Sequence, residues 1–362
     1  MIYRTRQVEL ARPRSRAVAD NRATVWMDAA RPEVPFDPRA LFIASYPRIR
    51  ATCLDFAEPG VAVFAFSLRG GGWLATMCLA ARPGEVRTGV VGRHSGADLF
   101  LEGDAGFALR HLLYAIEPTP LADALRGEVR FRVIDLETGA APIDEQGRRV
   151  ASLTAEGPVF LRCQDFALLA LVTGDPTDWP ERAEDAWDCL PERVFVEERL
   201  ASGSRPRRLP HAPPAGSLLL ASGRRTTLVR VIEGPSHVRA VASDEPPCGM
   251  LHLESRGTSR AIGVGRETLR RGLLVGRYER CHTQDGSPIQ DERVSRVHLM
   301  IVELGGLPCA IDLGSSNGSW ALDAVAGARV PLRAAPLAAG ERIGLAGAGT
   351  TLAWYPVSGA AG

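Results

Sequence analysis

Leu274-Val275-Gly276-Arg277, then Ser295-Arg296-Val297-His298, then Asp312-Leu313-Gly314-Ser315-Ser316-Asn317-Gly318 stand in this order near the C-terminus, and their joint reading decides the fold. Arg277 ends an apolar run and carries a planar fork of donors. Ser295 sits just ahead of the alternating segment Val297 to Leu304, which places it in the loop entering a strand. Ser315, Ser316, Asn317 and Gly318 follow the short run Ala310 to Leu313 and form a turn-rich cluster. A phosphate dianion needs a fixed cation, hydroxyl donors and backbone N–H groups converging on one point. Three loops at one end of a β-sandwich would supply them, and scaffolded loops are where binding residues concentrate.

Over roughly Gly249 to Val357 these motifs together resemble the forkhead-associated (FHA) domain, a β-sandwich that reads phosphothreonine on partner proteins. The resemblance implies that Arg277 and Ser295 hold the phosphate, that Ser316 adds a hydroxyl, and that Asn317 bonds the peptide backbone beside the phosphothreonine. Arg296 occupies a position where family members often place a polar residue near the peptide. Gly276, His298 and Gly318 are implied to be structural, with the ring of His298 bracing the binding loops. The implied partner is a phosphothreonine-containing protein, the substrate of a Ser/Thr protein kinase.

A length of 362 residues predicts two or three domains with substantial cores. Hydrophobic residues make up 45% and charged residues 23%, as in ordinary soluble proteins. The net charge is +1, so no global field draws the chain to nucleic acid or to a membrane. All 43 residues counted as Lys+Arg are arginine. Without lysine there is no P-loop lysine, Schiff base or lysine general base. The seven cysteines are scattered, with no Cys-x-x-Cys pair, and read as reduced thiols serving as small core residues. The histidines do not cluster, so no metal site is expected, and no cofactor is implied. Met1 to Arg6 leads into polar sequence without an apolar h-region, and no run approaches a membrane span, so a cytoplasmic location is expected.

The chain also repeats itself. Val90-Val91-Gly92-Arg93 mirrors Leu274 to Arg277, Phe107-Ala108-Leu109-Arg110-His111-Leu112 mirrors Val294 to Leu299, and Val133-Ile134-Asp135-Leu136 mirrors Ala310 to Leu313. A second FHA-like fold is therefore predicted. In that copy Ala108 stands where Ser295 stands and offers no donor. Ala140 stands in place of Asn317, and Glu137 brings a charge that repels phosphate. Thr138 is a weak substitute hydroxyl.

The expected fold class is all-β: two FHA-type antiparallel β-sandwiches joined by a partly helical, Pro/Arg-rich linker. The expected divisions are an unassigned segment 1–59, a degenerate FHA-like domain 60–174, a linker 175–246 and an FHA domain 247–358. Within the first segment, Arg22 to Met27 and Leu41 to Ser45 look strand-like. Within the linker, Asp178 to Glu181 reads as a helix start with Ala183, Trp187 and Leu190 on one apolar face. Ser202 to Gly216, with Arg205, Arg207 and Arg208, reads as flexible and solvated. Leu218 to Leu220 and Thr226 to Ile232 look like strands without an assigned sheet.

Three function classes follow. The first is a phosphothreonine-dependent adaptor whose second copy reads and whose first copy is scaffold. The second is a phosphorylation-independent assembly protein using both sandwiches as surfaces. The third is an enzyme, which the sequence does not favour: it contains no Gly-x-Ser-x-Gly, no His-Glu-x-x-His and no kinase motif set. Asp98, Glu102 and Asp104 read as a solvated acidic loop.

Overall fold

The computed structural model describes residues 36–102, 106–118, 128–136, 138–174, 179–197, 226–235, 245–278, 281, 289, 291–322, 328–347 and 349–357. Helix α1 (Pro38–Asp55) comes first. Strands β1 (Gly60–Ser67), β2 (Trp73–Ala80), β3 (Arg87–Gly92), β4 (Leu99–Phe100), β5 (Leu112–Ile116), β6 (Phe131–Asp135), β7 (Ile143–Asp144), β8 (Ser152–Ala155), β9 (Val159–Cys163) and β10 (Phe166–Thr173) follow. Next come helix α2 (Ala183–Cys189) and strands β11 (Glu192–Glu197) and β12 (Thr226–Ile232). The last stretch holds β13 (Pro247–Ser255), β14 (Thr258–Gly265), helix α3 (Arg266–Arg271), β15 (Leu273–Val275), β16 (Leu299–Leu304) and β17 (Leu307–Asp312). It continues with β18 (Ser319–Leu322), β19 (Arg329–Leu332), β20 (Ala334–Pro336), β21 (Arg342–Leu345) and β22 (Thr350–Pro356).

These strands form four sheets among the described residues, ordered β2-β1-β10-β9-β7, β11-β12-β8-β6-β5-β3-β4, β14-β13-β22-β21-β18-β19 and β15-β16-β17-β20. The order β2-β1-β10-β9-β7 in one half is the order β14-β13-β22-β21-β18 in the other, and β8-β6-β5-β3 corresponds to β20-β17-β16-β15. The motif repeat is thus accompanied by a repeat of strand order. In the first sandwich Val61, Val63 and Ala65 of β1 and Leu168 and Ala170 of β10 pack inward with Leu112, Tyr114 and Ile116 of β5. In the second, Leu251 and Leu253 of β13 pack with Leu299 and Ile301 of β16 and Leu352 and Trp354 of β22.

The two halves differ in what covers their outer faces. β13 alternates, with Leu251 and Leu253 buried and His252 and Glu254 exposed, as a sheet solvated on one side requires. β1 and β10 are buried on both faces and read as continuous apolar runs. Their outer side chains Ala62, Phe64, Phe66, Leu169 and Leu171 lie under α1 and α2, against Phe42, Tyr46, Ile49, Cys53 and Ala186. Here the expectation of a strand at Leu41 to Ser45 is corrected: those residues lie inside α1. Phe42, Tyr46, Ile49 and Cys53 recur at helical spacing, Pro38 opens the first turn, and Asp37 caps it by accepting from the Ala40 N–H at 3.0 Å. Trp187 of α2 fastens the cover, stacking on Phe160 at 5.4 Å and meeting Phe42 edge-on at 5.5 Å.

The span expected to be a linker also contributes to the first sandwich. β12 pairs antiparallel with β8, and β11 pairs parallel with β12, so this stretch extends the second sheet of that sandwich. Val229 of β12 is buried in the same core as Leu153 and Phe131. The expected strands Arg22 to Met27 and Leu218 to Leu220, the flexible segment Ser202 to Gly216 with its three arginines, and Asp104, Glu137 and Asp178 lie outside the described residues.

The sandwiches face each other through corresponding surfaces. Val90 of β3, Leu113 and Ala115 of β5, and Ile134 and Leu136 at β6 are buried in one cluster with Leu274 of β15, Met300, Val302 and Leu304 of β16, and Ile311 and Leu313 at β17. Val90 corresponds to Leu274, Ile134 to Ile311 and Leu136 to Leu313 in the motif repeat, so the contact resembles an isologous dimer interface within one chain. Fully burying one such side chain is worth about 1.5–3 kcal/mol, so parting the two faces costs many times that.

Candidate functional site

The site is built at the end of β15. Gly276 lies so close to the following loop that a Cβ there would stand 2.1 Å from the Arg296 carbonyl oxygen, a separation only glycine permits. The backbone N–H groups of Arg277 and Tyr278 donate to the Ser295 and Arg296 carbonyls at 3.3 and 2.9 Å. Nε of Arg277 donates to the Val294 carbonyl at 2.8 Å, which fixes the plane of an exposed guanidinium.

Opposite, the turn Asp291 to Val294 offers two carbonyls. Val294 takes Arg277, and the Arg293 carbonyl accepts from Nδ2 of Asn317 at 2.7 Å. Asp291 holds this turn: its buried carboxylate accepts from the Arg293 backbone N–H at 3.1 Å and from both Nε and Nη2 of Arg293 at 3.0 and 2.7 Å. The Arg293 hydrogen bond holds the Asp291 carboxyl down at about 2. Sequence reading gave this turn no role, although the Asp-x-Arg spacing marks a residue that folds back on its neighbour.

Ser295 and Ser316 meet across the loops. The Ser316 N–H donates to Oγ of Ser295 at 3.1 Å, which leaves the Ser295 hydroxyl its own hydrogen to give. Asn317 is exposed, and its side-chain oxygen has no partner among the described residues. Arg296 is exposed and contributes its carbonyl to the Tyr278 N–H. Asp312 orders the Ser315 to Gly318 turn, accepting from the Ser315 N–H and Oγ at 2.7 Å each and from Oγ of Ser319 at 2.6 Å. Gly318, at φ +74°, gives its carbonyl to the ring of His298. His298 is fully buried; Nδ1 accepts from the Ser295 N–H at 3.0 Å, so Nε2 carries the hydrogen and donates to Gly318 at 3.2 Å. Burial holds this imidazole below its ordinary range, opposed by Asp312 with its Oδ2 at 3.7 Å. The structure therefore gathers Arg277, Ser295, Ser316 and Asn317 around one turn, with Gly276, His298 and Gly318 behind them.

The first sandwich repeats the arginine and histidine bonds of this framework. Nε of Arg93 donates to the Phe107 carbonyl at 2.6 Å, the Ala108 N–H donates to Nδ1 of His111 at 3.1 Å, and Nε2 of His111 lies 3.1 Å from the Ala140 carbonyl. A Cβ on Gly92 would stand 2.1 Å from the Leu109 carbonyl oxygen. Ala108, at the place of Ser295, has no hydroxyl. The loop after Asp135 is one residue shorter, so Ala140 takes the place of Gly318, and Gly139 that of Asn317. The sequence pairing of Ala140 with Asn317 shifts by one. Thr138 also differs from expectation: its hydroxyl donates to Asp135 at 2.8 Å, the role Ser315 plays for Asp312.

Residues 273–346 match the family described as FHA domain, and the second sandwich is an FHA domain. Among solved structures, the FhaA FHA domain complexed with the intracellular domain of Rv3910 is 25% identical, covering 29% of this chain and 98% of that one with a TM-score of 0.22. An FHA domain of an Arabidopsis thaliana hypothetical protein is 26% identical, covering 33% and 97% with a TM-score of 0.23. Mycobacterium tuberculosis Rv1747 FHA-1 is 23% identical, covering 30% and 96% with a TM-score of 0.22. No curated protein sequence matches the chain. Among the described residues, no group of three or more His, Cys, Asp or Glu could hold a metal ion, and no helix is long and apolar enough to cross a membrane.

Proposed function

We propose that the second sandwich binds a phosphothreonine-containing segment of a partner protein, and that the first sandwich is a non-binding scaffold for it. The observation that carries this reading is the convergence of Arg277, Ser295 and Asn317 on the Asp291 to Ser295 turn, where framework bonds hold a cation, a hydroxyl hydrogen and an amide close together. Arg277 and Ser295 take the phosphate, Ser316 adds a hydroxyl, Asn317 takes the peptide backbone, and Arg296 lies beside the peptide. The first sandwich keeps the framework and lacks both Ser295 and Asn317, which supports the division of labour. The chain is then an adaptor downstream of a Ser/Thr protein kinase, acting through binding and not through catalysis.

The test is calorimetric titration of the full chain with a degenerate phosphothreonine peptide library. One hydrogen bond to a charged group is worth about 1.5–3 kcal/mol. Arg277→Ala should therefore weaken binding about ten- to a hundredfold while leaving the melting temperature in place. Dephosphorylated peptides should not bind. Equal affinity for both peptide forms would instead support the phosphorylation-independent assembly role.

A further inference from the structure

The first sandwich sends one side chain into the back of the second one's binding loops. Nη1 of Arg110 donates to the Val297 carbonyl at 3.3 Å, and Nη2 donates to the Gly314 carbonyl. Val297 belongs to the loop that carries Ser295, and Gly314 to the loop that carries Ser316 and Asn317. These are the loops joined on the ligand side by the Ser316 N–H to Ser295 bond. Arg110 thus staples from behind the pair of loops that would hold phosphate in front. Gly314 is at φ +72°, and a Cβ there would lie 3.7 Å from Nε of Arg110 and 3.7 Å from the Gly96 carbonyl oxygen, so the first sandwich abuts this turn directly.

The contact runs one way. By the matching His111 and His298 bonds, the counterpart of Arg110 in the second sandwich is Val297, which has no side-chain donor to return. Burial lowers the Arg110 guanidinium from its ordinary value, and Asp312, the carboxylate that orders the Ser315 turn, opposes that loss. A desolvated cation is held there only with hydrogen-bond partners, and two carbonyls of the second sandwich supply them. The nearby Arg333 to Asp98 pair also links the sandwiches, but it is exposed and adds little.

We propose that Arg110 is a positioning residue for the phosphopeptide site, supplied by the first sandwich, so that the scaffold copy completes a site it cannot form itself. This rests on the proposed binding function, and its test keeps the two separable. Full-length wild type, Arg110→Gln, Arg110→Lys and Arg277→Ala are compared in two assays: amide hydrogen exchange without ligand, and affinity for a phosphothreonine peptide selected from the library. Arg110→Gln should speed exchange at the Ser315 and Ser316 amides about tenfold, weaken the peptide by a similar factor, and leave exchange in β16 unchanged, with Arg110→Lys recovering part of both effects. If Arg277→Ala abolishes binding while Arg110→Gln matches wild type in both assays, the proposal is overturned and the binding function stands. If wild type binds no peptide, the binding function fails, and exchange alone decides whether Arg110 positions the loops. Should Arg110→Gln unfold, Arg110→Met keeps the apolar stem; a large fall in melting temperature there too would make Arg110 a general packing residue and overturn the proposal.

Discussion

The ring of His298 is the common partner of two loops: its Nδ1 accepts from the Ser295 N–H at 3.0 Å, and its Nε2 meets the Gly318 carbonyl at 3.2 Å. A ring that accepts on one nitrogen and donates on the other must be neutral, and protonating Nδ1 would set N–H against N–H. His111 makes the same two bonds in the first sandwich and is stacked on Phe107 at 4.3 Å.

Stability should therefore fall in mild acid. Burial pushes His111 from 6.5 down to about 4. Between these values the unfolded chain takes up a proton that the folded chain does not. Its contribution is complete above about pH 6.5 and declines as pH falls, by about 3 kcal/mol in total at about pH 4. His298 acts in the same direction. Denaturant unfolding at pH 7 and pH 5 should show the lower stability at pH 5, and His111→Gln should reduce the difference. Equal stability at the two pH values would show that neither ring is held neutral.

Gly92→Ala and Gly276→Ala should destabilise the chain to similar extents. In each case the added methyl meets a backbone carbonyl oxygen at 2.1 Å, and backbone held by sheet bonds cannot yield cheaply. Overpacking of this kind costs about 1–3 kcal/mol. Thermal melts of both variants measure it. A neutral Gly92→Ala would mean that the first sandwich does not hold its loop against β3 as the second holds its own.

Asp291→Ala should weaken phosphopeptide binding by about tenfold, although Asp291 is buried. It fixes the turn whose carbonyls orient Arg277 and Asn317, so its loss should appear as lower affinity together with altered amide shifts at Asn317. Unchanged affinity would show that the turn keeps its shape without the carboxylate.

An isolated fragment of residues 247–357 should be unstable or self-associating. It would expose Leu274, Met300, Val302, Leu304, Ile311 and Leu313, which the first sandwich buries. Polar replacement of Met300 and Val302 should restore a soluble monomer in analytical ultracentrifugation. A fragment that is monomeric and as stable as the full chain without replacement would show that the buried face contributes little.

The sequence alone determined what is local. Gly-Arg at the end of an apolar run, Ser-x-x-His before an alternating strand and the Asn-Gly turn each specify backbone geometry within a few residues, so the repeat was legible from spacing, while the roles of the site residues came from the resemblance to the FHA family. Periodicity also says which face of an element is apolar, but not what covers it. The long apolar runs at β1 and β10 left open whether a helix or a second sheet lay above them, and Leu41 to Ser45 was too short a window to show the helical spacing that continues to Cys53. Thr226 to Ile232 read as a strand, yet its sheet depended on pairing with β8, far back along the chain. Arg110 stood in the repeat as one more arginine. Its bond to Gly314 joins residues 204 positions apart and exists because two apolar faces pack together, and no local pattern encodes which faces meet.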